Sequence, residues 1–328
     1  MTPRVTVLVP AFNDERYLGQ ALDSIVGQSF RDLEVVVSDD GSADSTVDVA
    51  EAWIAKDDRI RLVRNEVNLG MTENWNRALA EARSPLVFKL DADDVLEPDA
   101  LRLLVESLES DQRIAFAACR TIECDESLTA ASPFHGEGAL RSAGIDPGQD
   151  HRLAGWTLFD LSFDDVQLFH SSSQMYRTDE LRAMGGWDTT WSCASDTELL
   201  LRLLASDRAV AQIGAVGVRY RRRPSSVSAS FSREGWKQVE ATLVSLNALQ
   251  KLGRERARRR SRLRWNWWRL WSNARKLRVE PELWRGMPSR LREKLERAME
   301  QAVPPPLDVR FEGWIRDRLW NLQRPRLG

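Results

Sequence analysis

Three carboxylates within four residues, Asp91-Ala92-Asp93-Asp94, close an apolar run at 86–90. Carboxylates this close repel one another unless a cation or solvent relieves them. In an extended chain Asp91 and Asp93 point the same way, so both can reach one ion. Hard oxygen ligands suit Mn²⁺ or Mg²⁺, which such sites commonly share with substrate phosphates. An acidic turn capping the next helix is the other reading of the same residues. Two more polar clusters end apolar runs: Phe12-Asn13-Asp14 after 5–9, and Asp39-Asp40-Gly41-Ser42 after 33–37.

The elements that must carry these clusters alternate. Apolar runs at 5–9, 33–37, 60–63 and 86–90 predict strands, and helical spacing follows at 18–26, 44–54, 74–81 and 98–108. Strands separated by helices imply parallel pairing with right-handed crossovers, an α/β sheet with helices on both faces. Ligands bind at the carboxyl ends of such strands, where all three polar clusters fall. From 124 to 170 the pattern is irregular and reads as loops. A strand at 173–177, the turn Gly185-Gly186-Trp187-Asp188 and a helix at 196–204 follow.

The chain has 328 residues, 42% hydrophobic and 29% charged, which excludes a wholly disordered or collagen-like polymer. No apolar run reaches membrane-spanning length, and the start at Met1-Thr2-Pro3 shows no signal-peptide pattern. Three scattered cysteines form neither a disulfide frame nor a zinc site, so a cytoplasmic location is the expectation. The net charge of −2 conceals a division. From Ser230 onward there are 24 Lys+Arg against 11 Asp+Glu, with 8 of the 13 tryptophans; the remainder holds 23 against 38. Two domains are expected, 1–229 and an all-helical, basic region at 230–328 interrupted by Gly253, Pro281, Pro288 and Pro304-Pro305-Pro306.

Thr6–Asp14, Val35–Ser42, Asn68-Leu69-Gly70, Asn74-Trp75-Asn76, Asp91–Asp94 and Gly185–Asp188 followed by Asp196–Leu199 together resemble the family 2 inverting glycosyltransferases of the GT-A fold. The resemblance spans roughly residues 4 to 228. It implies a Rossmann-like, mostly parallel sheet and transfer of a sugar from a nucleotide-diphosphate sugar to a hydroxyl acceptor, in glycan or polysaccharide synthesis. Carried over, Pro10, Phe12 and Asp14 line the base and ribose pocket. Asp40, and less directly Asp39, accepts from a base N–H, which suits a UDP- or dTDP-linked donor. Gly70 lets the backbone approach the nucleotide, Asp91 lies near the ribose, and Asp93 with Asp91 holds the metal. Asp196 aligns with the catalytic base, the alternative being an N-cap residue. Trp187 walls the acceptor site or else is core.

Two departures stand out. Ser195 replaces an acid beside the expected base, removing a like charge and lowering the basicity of Asp196. Arg223 replaces a histidine; it cannot ligate a metal, but its fork suits phosphate oxygens, so it is expected to neutralise the departing diphosphate. His135, His151 and His170 show no ligand spacing and read as structural. These departures keep open a catalytically silent homologue acting as a sugar-binding or scaffold protein.

In the basic region Leu263, Trp267, Leu270, Ala274 and Leu277 form one helix face, with Trp265 and Trp268 among arginines on the other. Packing on the first domain, peripheral membrane contact serving a lipid-linked acceptor, and a partner surface all fit. Arg256–Arg264 lacks any nucleic-acid-binding signature, so nucleic acid is not an expected partner.

Overall fold

The computed structural model describes residues 2–162, 167–224, Ser226, Ala229, 236–251, Arg292, Glu293 and Glu296. The chain divides into two compact units, Met1–Ala229 and Ser230–Gly328. The first is built on a ten-stranded sheet.

Strands β1 (Val5–Ala11), β2 (Leu33–Asp39), β3 (Ile60–Arg64) and β4 (Leu86–Lys89) lie in the order β3-β2-β1-β4, all parallel. β1 and β2 are buried along their whole length, as parallel strands covered on both faces must be. The crossovers are helices α1 (Leu18–Val26), α2 (Thr46–Ile54) and α3 (Met71–Glu81). α1 buries Leu18, Ala21, Leu22 and Ile25, one face at helical spacing. α1, α2 and the strands share one apolar core with α4 (Ala100–Glu109), which buries Leu101, Leu104, Val105 and Leu108.

Past β4 the sheet becomes mixed. After β4 come the short β5 (Val95–Leu96), α4, β6 (Ile114–Cys124) and β7 (Ala130–Pro133). Then follow α5 (Glu137–Ser142), β8 (His151–Ala154), α6 (Gly155–Leu161), a 3-10 turn at Ser171–Ser173, β9 (Gln174–Arg177) and α7 (Thr178–Ala183). α8 (Ser195–Leu204) and β10 (Ala209–Arg221) complete the unit. The sheet continues β4-β9-β6-β10-β5, with β10 parallel to β6 but β9 antiparallel to both neighbours. The reason is local: the 3-10 turn is bonded to Asp91 at the carboxyl end of β4, so the chain enters the sheet there and must run back. Residues 124–170, expected as loops, contain β7, α5, β8 and α6, elements too short to leave a periodic signal.

β5 pairs antiparallel with β10, Val218 opposite Leu96 and Arg219 opposite Val95. That register sets the end of β10 and the chain beyond it alongside the 91–94 turn. In the second unit α9 (Trp236–Lys251) is described, with Leu243 and Val244 buried. The Trp/Arg face expected at 262–277 lies outside the described residues. Among the described residues no helix is long and apolar enough to cross a membrane.

Candidate functional site

The ends of β1 and β2 are joined by their own side chains. Asn13, in a left-handed conformation (φ 55°), accepts from the Ala43 N–H and donates its own N–H to Ser42 Oγ. The Asp14 N–H donates to Thr46 Oγ1. Asp39 and Asp40 are both buried, with different partners. Asp40 Oδ1 accepts from Asn65 Nδ2 and the Leu69 N–H, and its Oδ2 from the Gly70 N–H, each at 2.9 Å. This carboxylate is committed to holding the 65–70 loop. Asp39 Oδ2 accepts a long bond from the Ser42 N–H at 3.2 Å, while its Oδ1 has no partner among the described residues. Of the two residues expected to meet the base, Asp39 is the one with a carboxylate oxygen not already engaged among the described residues. Phe12, just past β1, and Val67 and Leu69, on the 65–70 loop that Asp40 holds, are the large hydrophobic side chains that are exposed among the described residues. Gly70 has φ 93°, and a Cβ there would meet nothing within 4 Å, so its backbone faces open space.

At the end of β4 the carboxylates are matched with cations. Asp91 receives Lys89 Nζ at 2.5 Å on one oxygen and Ser172 Oγ at 2.9 Å on the other. Burial works against its charge, but Lys89 foremost keeps the Asp91 carboxyl below its ordinary range. Lys89 is itself 1% exposed and lies 4.2 Å over the Trp75 ring. Burial pushes Asp93 up to about 6 despite the neighbouring Arg223, and pushes Asp94 well above the carboxylate range, with Asp93 and Asp91 adding to it. Asp94 accepts the Arg221 N–H at 3.0 Å; its other oxygen has no hydrogen-bond partner among the described residues and faces His170 Nδ1 at 3.9 Å.

Alternate residues at the end of β10 point the same way, and the three arginines there divide accordingly. Arg222 turns to Glu123 at 2.8 Å. Arg221 is buried and bonded to the Asp93 carbonyl, Gln20 and the Glu126 carbonyl. Arg223 bridges two carboxylates, Nη2 lying 3.0 Å from Asp14 Oδ1 and Nε 2.6 Å from Asp93 Oδ2. Both are ion-pair contacts, Asp14 Oδ1 and Arg223 Nε having no aligned hydrogen bond among the described residues. Both Arg221 and Arg223 lie against Tyr17, 4.7 and 4.9 Å from its ring centre.

The two carboxylate pairs differ in their fitness for a divalent ion. Asp93 is already in contact with a guanidinium, and a divalent ion about 4 Å from it would be repelled by roughly 8 kcal/mol at an effective dielectric near 20. Asp91, Asp94 and His170 instead bring one ligand atom each within 4.8 Å of one another. The unpartnered Asp94 oxygen gives that trio a donor with nothing else to satisfy it. Beside the expected set of Asp93 with Asp91, this trio is a second arrangement that could hold an ion, and it includes His170, read from sequence as structural. His170 accepts the Ser172 N–H through Nδ1 and packs 4.2 Å from Tyr220. Lys89, Tyr17 and His170 carried no sequence signal, because each meets its partners across the fold.

Asp196 opens α8. Its Oδ1 accepts the Thr197 N–H and its Oδ2 accepts Gln167 Nε2, both at 2.7 Å. Ser195 is fully buried with its hydroxyl 2.7 Å from that of Thr72, a place where an acid would lack both room and solvent. Glu198 pairs with Arg202, which also donates to the Gly186 carbonyl. Trp187 is 2% exposed, its ring edge-on to Trp75 and Tyr176 at 5.7 and 6.4 Å. It belongs to the core, and the acceptor-side role is withdrawn.

Residues 6–165 match the family described as Glycosyl transferase family 2. They form a family 2 glycosyltransferase domain. The chain is 33% identical over 130 residues to a chondroitin synthase of Pasteurella multocida, covering 39% of this chain and 13% of that protein. It is 35% identical over 144 residues to a GalNAc(5)-diNAcBac-PP-undecaprenol beta-1,3-glucosyltransferase of Campylobacter jejuni, covering 44% and 46%. The chain thus spans less than half the length of either relative. S. aureus TarS 1–349 in complex with UDP-GlcNAc superposes with a TM-score of 0.65 at 17% identity, covering 93% of this chain and 82% of that one. The mannosyltransferase PcManGT of Pyrobaculum calidifontis, in complex with GDP-Man and Mn²⁺, gives 0.55 at 17%, covering 98% and 88%. The glycosyltransferase domain has the GT-A fold.

Proposed function

We propose that the glycosyltransferase domain moves a sugar, with inversion, from a uridine or thymidine diphosphate sugar to a hydroxyl of a glycan or lipid-linked acceptor, in glycan or polysaccharide assembly. One observation carries the donor class: Asp39, at the end of β2, keeps a carboxylate oxygen with no partner among the described residues, while Phe12 past β1 and Val67 and Leu69 on the 65–70 loop are exposed. An apolar rim suits a stacked base, and a lone acceptor suits the N3–H of uracil or thymine. The names of the relatives, a polysaccharide synthase and an undecaprenol-linked glucosyltransferase, and the UDP-GlcNAc complex of TarS support the same class.

In this reading the Asp196 carboxylate takes the acceptor hydroxyl proton as the oxygen attacks the anomeric carbon. The bond from that carbon to the β-phosphate oxygen breaks, its electron pair leaving with the nucleoside diphosphate. Gln167 and the Thr197 N–H orient the carboxylate. Mn²⁺ or Mg²⁺ held by Asp91, Asp94 and His170 would supply further positive charge to the departing phosphates.

Calorimetric titration with UDP-, dTDP- and GDP-sugars tests the donor, and Asp196→Asn tests the base. Uridine or thymidine donors should bind, and the variant should bind them while losing about 10²–10⁴-fold in transfer. Failure of every nucleotide to bind, or undiminished transfer by Asp196→Asn, refutes the corresponding part.

A further inference from the structure

Asp14, Asp91, Asp93 and Asp94 place four carboxylates at one sheet edge, and the chain supplies its own cations there. Lys89 is spent on Asp91, and Arg221 on backbone carbonyls and Gln20. Arg223 differs from both. It reaches from the end of β10 to touch Asp14 on the β1 side and Asp93 on the β4 side. Its side chain is 16% exposed, whereas Arg221 and Lys89 are almost completely buried. Its buried Nε is taken up by Asp93 and one Nη by Asp14, so the partly exposed remainder of the guanidinium is what faces a ligand. Tyr17 supports its flat face, which fixes its position before any ligand arrives. Burial alone would disfavour its charge, but Asp93 and Asp14 hold its pKa above the ordinary value.

We propose that Arg223 is the built-in cation of the diphosphate subsite, so that the nucleoside diphosphate binds without a divalent ion. A guanidinium fork matches paired phosphate oxygens, and here it stands in contact with Asp93, where a metal bound to that residue would have to be. Any divalent ion at Asp91, Asp94 and His170 then acts on transfer and is not required for nucleotide binding. The inference rests on the nucleotide-diphosphate reading above.

The test is calorimetric titration of UDP into the full chain, in EDTA and in Mn²⁺, for wild type, Arg223→Ala, Arg223→Lys and Arg223→His, each checked for native melting. Wild type should bind with dissociation constants within about threefold in the two buffers. Arg223→Ala should lose roughly 10- to 100-fold in EDTA, the loss of a charge-assisted contact, and Arg223→Lys should recover part of it. Arg223→His should bind poorly in EDTA and regain at least about tenfold with Mn²⁺, because imidazole ligates metals and guanidinium does not. Wild-type binding that demands Mn²⁺, or a folded Arg223→Ala that binds as wild type in EDTA, overturns the inference alone. No binding of UDP or of any other nucleotide in either buffer overturns the nucleotide reading itself and this inference with it.

Discussion

Adjacent aspartates at the end of β2 offer a sharp separation of structure from binding. Asp40 accepts three donors, and Asp40→Asn removes its charge and turns an NH₂ toward at least one of them. A hydrogen bond to a charged group is worth about 1.5–3 kcal/mol net. Losing one and weakening two should cost about 2–4 kcal/mol. At roughly 2–4 °C per kcal/mol for a domain of this size, Tm should fall by on the order of 10 °C. Asp39→Ala removes one long contact from the Ser42 N–H, so its stability cost should stay near about 1 kcal/mol. It also removes the open acceptor. Its affinity for UDP, measured by calorimetry well below Tm, should fall about 10- to 100-fold, with preference over GDP lost. Asp40→Asn at the same temperature should bind within a few fold of wild type. The reverse pattern, a stable Asp40→Asn that cannot bind UDP beside an unstable Asp39→Ala that can, would refute the assignment.

Two further outcomes follow from packing and burial. Gly186 has φ 67°, and a Cβ there would fall 2.3 Å from Asn76 Oδ1, the atom that accepts the Trp187 N–H. Gly186→Ala should therefore destabilise the domain by about 3–5 kcal/mol in urea titrations, combining backbone strain with a displaced hydrogen-bonded pair; a cost under about 1 kcal/mol would contradict this packing. Asp93, raised by burial to about 6 from about 3.8, binds its proton more tightly in the folded chain than in the unfolded one. The stability this contributes is complete below about 3.8 and lost as pH rises through about 6. Asp93→Asn, neutral throughout, should gain on wild type by about 1–3 kcal/mol between pH 4 and 7.5, and a difference that does not change with pH would count against it.

Much of the site was legible because strand ends announce themselves. Asp14, Asp39-Asp40 and Asp91–Asp94 each follow an apolar run, and parallel strands bring those ends to one edge. Alternation likewise separates Arg223 from Arg222. What sequence could not give was the partner of each residue. Whether Asp39 or Asp40 stays open depends on the 65–70 loop, which binds one and leaves the other. His170 reaches Asp94 only because the chain re-enters the sheet at the end of β4, a step made through an irregular segment with no period to read. Trp187 could be assigned to sugar or to core from its type alone, and only burial against Trp75 and Tyr176 decides. Lys89 lies within the apolar run at 86–90, and only the fold shows that its ammonium meets Asp91.

Asn74-Trp75-Asn76, quoted above as part of the family resemblance, shows how these pieces are kept in register. Asn74 Nδ2 donates to the Ser38 carbonyl at 2.8 Å and its Oδ1 accepts from Ser38 Oγ, which ties α3 to the end of β2 beside Asp39. Asn76, one turn face away, clasps both backbone groups of Trp187. Trp75 between them meets Lys89 on β4 and Trp187 edge-on, and Thr72 bonds Ser195 at the start of α8. One helix therefore touches the strand that ends in Asp39, the strand that leads to the carboxylate turn, and the first turn of α8, which carries Asp196. If Asp39 and Asp196 act as proposed, a displacement of about 1 Å between them would cost on the order of 10²-fold in rate, and α3 is placed to set their spacing. Its polar residues are spent inward, on the loops and helix start that flank the site.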